Sequence, residues 1–168
     1  MNNEDDPDWG SIVHLHSSRV FRVSQRILGS VQDAEDVSQD VFIEAYRMHR
    51  AGPIQSWIGL LVRLATLRSL DFRRRKRRTV ELNEYQCAID SDPAMNLLKS
   101  ELAQRLQLAL SQLPDQQATV FVMSFYEQMT RDEIADSLGI TSESVSTSLY
   151  KARQRLSQSL LLSHKENR

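Results

Sequence analysis

Four acidic side chains recur at helical spacing in DAEDVSQDVFIEAYR, residues 33–47: Asp33, Asp36, Asp40 and Glu44. At about 100° per residue they stack along one helix face. Carboxylates so placed can bind a divalent cation or act as acid and base, but both chemistries need convergence in a pocket, usually with histidine or acids from other elements. The sequence supplies no such partners. Acids in a first turn also complement the helix dipole, so the face reads as solvated surface or as a docking face for a basic partner. The second chemical feature has the opposite sign. RSLDFRRRKRR, residues 68–78, ends in six consecutive basic residues, in a chain whose net charge is −1. Two surfaces of opposite sign point to two different partners. The single cysteine, Cys87, allows neither an internal disulfide nor a cysteine metal cluster. No catalytic residue, metal or cofactor is expected, which makes this a binding protein and not an enzyme.

Helices must position these groups. With 5 glycines and 4 prolines in 168 residues, and apolar residues three and four apart over long stretches, the fold class reads as all-α. A first helix is expected from about Ser11 to Leu28, stopped by Gly29, and a second from about Asp33 to His49, stopped by Gly52-Pro53. Its core stripe is Ala34, Val37, Val41, Ala45 and Met48. A third runs from about Gln55 into the basic run. From Thr79 to about Pro93 the periodicity fails, which predicts a flexible linker between two small helical domains. Helical spacing resumes near Met95 and continues to Leu113-Pro114, and a further helix begins near Asp115. No stretch reaches 18 uninterrupted apolar residues and the N-terminus is acidic and polar, so membrane insertion and secretion are not expected and a cytoplasmic location is.

The third helix is amphipathic. Trp57, Leu60, Leu61, Leu64 and Ala65 point one way, with Arg68 and Asp71 close by as an i,i+3 pair. Arg63, Thr66, Arg73, Arg74 and Arg77 fall opposite, an arginine-rich face suited to a phosphate backbone. Six consecutive basic residues point all round a helix, and the wheel sends Arg75 and Arg78 toward the core side, which predicts that the helix has left its domain there or frays into the linker.

Further on, Thr130-Arg131-Asp132-Glu133 fits a capping box and Gly139 a sharp left-handed stop. Thr141 or Ser142 then caps a helix with Val145, Leu149, Ala152 and Leu156 on one stripe. Short helix, glycine turn and longer helix make a helix-turn-helix. Its second helix presents Glu143, Ser144, Thr147, Tyr150 and Lys151 outward, with Ser146 and Arg153 at the margins, a surface that suits a major groove and its flanking phosphates.

Taken in order, DAEDVSQDVFIEAYR, LLVRLATLRSLDFRRRKRR and LSQLPDQQATVFVMSFYEQMTRDEIADSLGITSESVSTSLYKARQRL resemble the extracytoplasmic-function (ECF) group of bacterial sigma-70 family factors. The resemblance implies a transcription initiation factor with sigma region 2 over residues 10–78, a linker over 79–94 and region 4 over 95–162. It implies that Asp36, Gln39, Asp40 and Phe42 form or support the contact with the clamp helices of the largest subunit of core RNA polymerase. The minus-10 element would be recognised and melted by the loop from Met48 to Ser56 together with Arg63, Thr66, Arg73, Arg74 and Arg77. The minus-35 element would meet Ser142, Glu143, Ser144, Ser146, Thr147, Tyr150, Lys151 and Arg153, with the polymerase flap touching the same domain. Promoter DNA and core polymerase are the implied partners, an anti-sigma factor a further candidate. The chain departs from the family pattern where Leu67 replaces a common asparagine and where Ser146 and Ser148 replace two cations, which implies weak binding by the C-terminal domain alone. The competing reading is a stand-alone helix-turn-helix regulator, which leaves the acidic helix without a role.

Overall fold

The computed structural model describes residues 8–82 and 97–165, and all regular structure among them is helical. The first helix, α1 (Trp9–Leu28), starts where the Asp8 carboxylate accepts the Ser11 N–H at 3.1 Å and ends at Gly29, whose φ of 75° only glycine adopts without strain. The second, α2 (Val31–Ala51), starts where the Ser30 hydroxyl accepts the Asp33 N–H at 3.2 Å. Four of its five expected inward residues, Ala34, Val37, Val41 and Ala45, are buried, whereas Met48 is exposed. The third, α3 (Trp57–Leu82), lies across both. Its helix continues through residues 79–82, past the expected domain end; the remainder of the expected linker lies outside the described residues.

The second half contains α4 (Leu97–Ser111), α5 (Asp115–Phe125), α6 (Arg131–Leu138) and α7 (Ser142–Lys165). Helix α5 is nearly apolar all round, with Ala118 through Met123 buried, because α3, α6 and α7 surround it. Ile134 and Ala135 of α6 and Val145, Leu149, Ala152 and Leu156 of α7 close over it. The two halves also touch each other. Helix α3 packs against α4, α5 and α6, and the buried apolar cluster runs from one half into the other.

Candidate polymerase and nucleic-acid interfaces

On α2 the four acids divide into two pairs. Asp33 accepts from Lys76 at 3.0 Å and Glu44 from Arg68 at 2.5 Å, so the outer two tie α2 to α3. The Glu44 hydrogen bond favours the charged form of Arg68, and it replaces the expected Arg68 to Asp71 pair; Asp71 instead meets Arg74 at 3.4 Å. The inner two, Asp36 and Asp40, are exposed beside Gln39. Phe42 is half-buried, its ring set edge-on to Trp9 at 6.2 Å, so it supports the face from behind. Sequence patterning missed Ile43, which is 51% exposed on the same face. The available signal was its position three residues after Asp40 and off the core stripe. Trp57 belongs to an aromatic cluster with Trp9 at 5.8 Å and His49 at 5.2 Å.

On α3 the expected outer face is largely an interface. Thr66 is 0% exposed and its hydroxyl donates to the Val62 carbonyl at 2.8 Å, so its assignment as a DNA contact is corrected: no phosphate can reach it in this arrangement. Arg73 and Arg74 are half-buried against the second half, and burial lowers the pKa of Arg73. Arg63 and Arg77 are exposed. So are Arg75 and Arg78, as expected where α3 has left its domain, although the wheel turns them toward the core side. Arg73 and Arg74 are covered instead because α3 is packed by α1 and α2 on one side and by α4, α5 and α6 on another, whereas a wheel assumes one covered side.

The helix-turn-helix forms by local rules. The Thr130 N–H donates to the Glu133 carboxylate at 2.7 Å and the Glu133 N–H to the Thr130 hydroxyl at 3.3 Å, a closed capping box that lowers the Glu133 pKa through the backbone hydrogen bond from Thr130. Gly139 turns the chain at φ 64°. On α7, Glu143, Thr147, Tyr150 and Lys151 are exposed on one side, with Tyr150 at 64%. Ser142 donates to Asp132 at 2.7 Å, and Ser144 shares a 2.9 Å hydrogen bond with Thr141, so both serve the turn as well as the surface. Ser146 accepts from Arg131 at 3.1 Å, and the Arg153 guanidinium lies over the Phe125 ring at 5.1 Å. Arg131 is the residue sequence reasoning missed: it brings a cation from α6 to the place where Ser146 lacks one. Ser148 is 8% exposed and receives a hydrogen bond from Gln116 at 3.4 Å. It faces α5 and borders the surface pocket lined by Ser144, Thr147 and Lys151.

The arrangement offers an exposed acidic face on α2, a basic end of α3 and a helix-turn-helix with an exposed polar face on α7. Among the described residues, no group of three or more His, Cys, Asp or Glu side chains could hold a metal ion, and no helix is long and apolar enough to cross a membrane. The family model "Sigma-70 region 2" matches residues 12–79, and "Sigma-70, region 4" matches residues 103–156. The sequence is 32% identical over 158 residues to the ECF RNA polymerase sigma factor SigE of Mycolicibacterium smegmatis, covering 89% of this chain and 60% of that protein. It is 27% identical to the ECF RNA polymerase sigma factor SigW of Bacillus subtilis, covering 93% of this chain and 90% of that one. Two solved structures share the fold: CnrH in complex with the cytosolic domain of CnrY (TM-score 0.57, 21% identity, 90% of this chain and 86% of that one), and the sigma factor RpoE in complex with the anti-sigma factor NepR from Bartonella quintana (TM-score 0.52, 19% identity, 91% and 96%). With both region matches in order over most of its length, and with relatives of this kind, the chain belongs to the sigma-70 family of RNA polymerase sigma factors, in its ECF group.

Proposed function

We propose that this protein directs core RNA polymerase to specific promoters and assists DNA melting as transcription begins. The observation that carries the reading is the pairing, on one chain, of an exposed Asp36 and Asp40 face on α2 with a helix-turn-helix at α6 and α7 whose α6 is capped at both ends. A stand-alone regulator needs only the second. In this reading residues 10–78 dock on the clamp helices of the largest core subunit and engage the minus-10 element. Residues 79–94 connect, and residues 95–162 read the minus-35 element and touch the flap. Asp36, Gln39 and Asp40 make the docking contact with Ile43 beside them, and Phe42 supports it.

Melting needs no catalytic group. Unstacking a base costs a few kcal/mol, which binding of the open strand by cations and a base pocket offsets. Arg63, Arg77 and the newly placed Arg75 and Arg78 supply exposed cations on α3. Polymerase and promoter place the protein's work in the cytoplasm, and an anti-sigma factor is a fitting regulator by analogy with the structural relatives. Reconstituted transcription tests the reading: core polymerase with this protein should initiate at a discrete set of genomic promoters. Initiation indistinguishable from core alone would refute it.

A further inference from the structure

Phe72, Arg73, Lys76 and Arg77 share one face of α3, because residues one turn apart on a helix lie above one another. That face forms one side of a cavity of about 460 Å³. Its apolar walls are Leu28 at the end of α1, Phe72 itself and Leu108 of α4, and Asp33 and Ser111 complete the lining. Small-molecule sites commonly enclose about 300–1,000 Å³ and combine apolar walls with a few converging polar groups. This cavity has both attributes.

Its electrostatics select a ligand of one sign. Three cations of the lining stand against one carboxylate, and that carboxylate, Asp33, accepts from Lys76 at 3.0 Å. The Lys76 ammonium also lies 6.0 Å from the centre of the Phe72 ring. Arg73 and Arg77, one turn apart, are like charges at a spacing that destabilises a helix. Burial disfavours the charged form of Arg73 and lowers its pKa. Its Nη1 donates to the Ile27 carbonyl at 3.3 Å and to the Gln107 side chain at 3.2 Å, yet its Nε–H is buried and meets no acceptor among the described residues. Buried donors without an acceptor are rare and destabilising. An anion bound against this face would offset the repulsion and bring an acceptor to Arg73.

A bare phosphate needs no apolar wall, whereas Leu28, Phe72 and Leu108 provide three. Their surface favours a ligand that also carries a flat apolar body. We propose that this cavity binds a small phosphorylated ligand with a planar ring, of the nucleoside diphosphate kind. The ring lies against Leu28, Phe72 and Leu108, and the phosphates meet Arg73, Lys76 and Arg77. Guanidinium forks match phosphate oxygens in pairs, and the Lys76 ammonium adds a point charge.

Isothermal titration calorimetry of the full chain with GDP and with ADP tests the proposal, with guanosine and inorganic pyrophosphate as the two parts of the ligand taken separately. One or both nucleotides should bind more tightly than either part, by about tenfold or more. Arg73→Gln, which keeps a donor for Ile27, should weaken nucleotide binding about tenfold. Leu108→Glu places a carboxylate on a wall that is 38% exposed, so it should weaken binding to a similar degree while thermal unfolding shows the fold retained. Asp33→Asn removes the lining carboxylate and should tighten binding about fivefold, a gain that a purely structural role for this face does not produce. Absence of binding by both nucleotides would overturn the proposal. So would equal affinity for pyrophosphate or for a short abasic oligonucleotide, since either would make the face a contact for bare phosphates. Nucleotide binding that is unmoved by Leu108→Glu, or weakened by Asp33→Asn, would place the ligand elsewhere and overturn it too.

Discussion

Arg131 of α6 and Ser146 of α7 are joined by a 3.1 Å hydrogen bond across the turn of the helix-turn-helix. The bond fixes a long cation at the edge of the exposed α7 face, the proposed groove-reading surface, where α7 itself carries only a small hydroxyl. The Ser146 hydroxyl, which donates to the Ser142 carbonyl at 2.9 Å, orients it.

Arg131→Ala should therefore weaken binding of the full chain to duplex DNA uniformly across sequences. The slope of log affinity against log salt should fall by about 0.9, the value of one phosphate contact on duplex DNA. Ser148→Ala, at a buried site facing α5, should leave that slope unchanged. Salt titrations by fluorescence anisotropy measure both.

Charge reversal at Asp36 and Asp40 should abolish co-elution with core polymerase and leave stability within about 0.5 kcal/mol of wild type, because both are exposed surface positions. Glu44→Ala should behave differently. It removes the partly exposed tie to Arg68, a stability loss of about 0.5–1 kcal/mol in thermal or urea unfolding. Unchanged core affinity in the double reversal would remove the docking role from this face.

Thr130→Ala should destabilise the C-terminal half by about 1 kcal/mol through loss of the helix cap. The box also has a pH signature. The Glu133 carboxyl is held below its ordinary range by the Thr130 N–H, so the folded state binds its proton less readily than the unfolded state does. The contribution is present above the ordinary glutamate range and is lost as pH falls through the lowered folded value. Unfolding of wild type should thus lose stability over that acidic window; Glu133→Gln should remove the dependence, and Thr130→Ala, which keeps the backbone N–H, should leave most of it.

Arg75→Ala and Arg78→Ala should each reduce open-complex formation, measured by permanganate reactivity of the melted strand. Both side chains are exposed, whereas Thr66→Val should leave promoter opening unchanged because the hydroxyl serves only the Val62 carbonyl.

Much of the molecule was legible in one dimension because its signals are local. The Thr130 to Glu133 box, the Gly29 and Gly139 stops and the Val37, Val41, Ala45 stripe each involve residues within about one or two turns, so hydrogen bonding and helical period decide them without reference to the remaining chain. The acidic face of α2 and the stripe of α7 followed from the same rules.

What the sequence determined was thus the set of helices, the two signs of charge and the family to which their order belongs. Tertiary structure decided which of those charges face water. Asp33 and Glu44 could not be told from Asp36 and Asp40 by spacing, since their partners Lys76 and Arg68 lie 43 and 24 residues away. Nor could Arg73 and Arg74 be told from Arg75 and Arg78. A helical wheel records the direction of a side chain, but exposure depends on every element that meets that direction, and α3 is met on one side by α1 and α2 and on another by helices that come later in the chain.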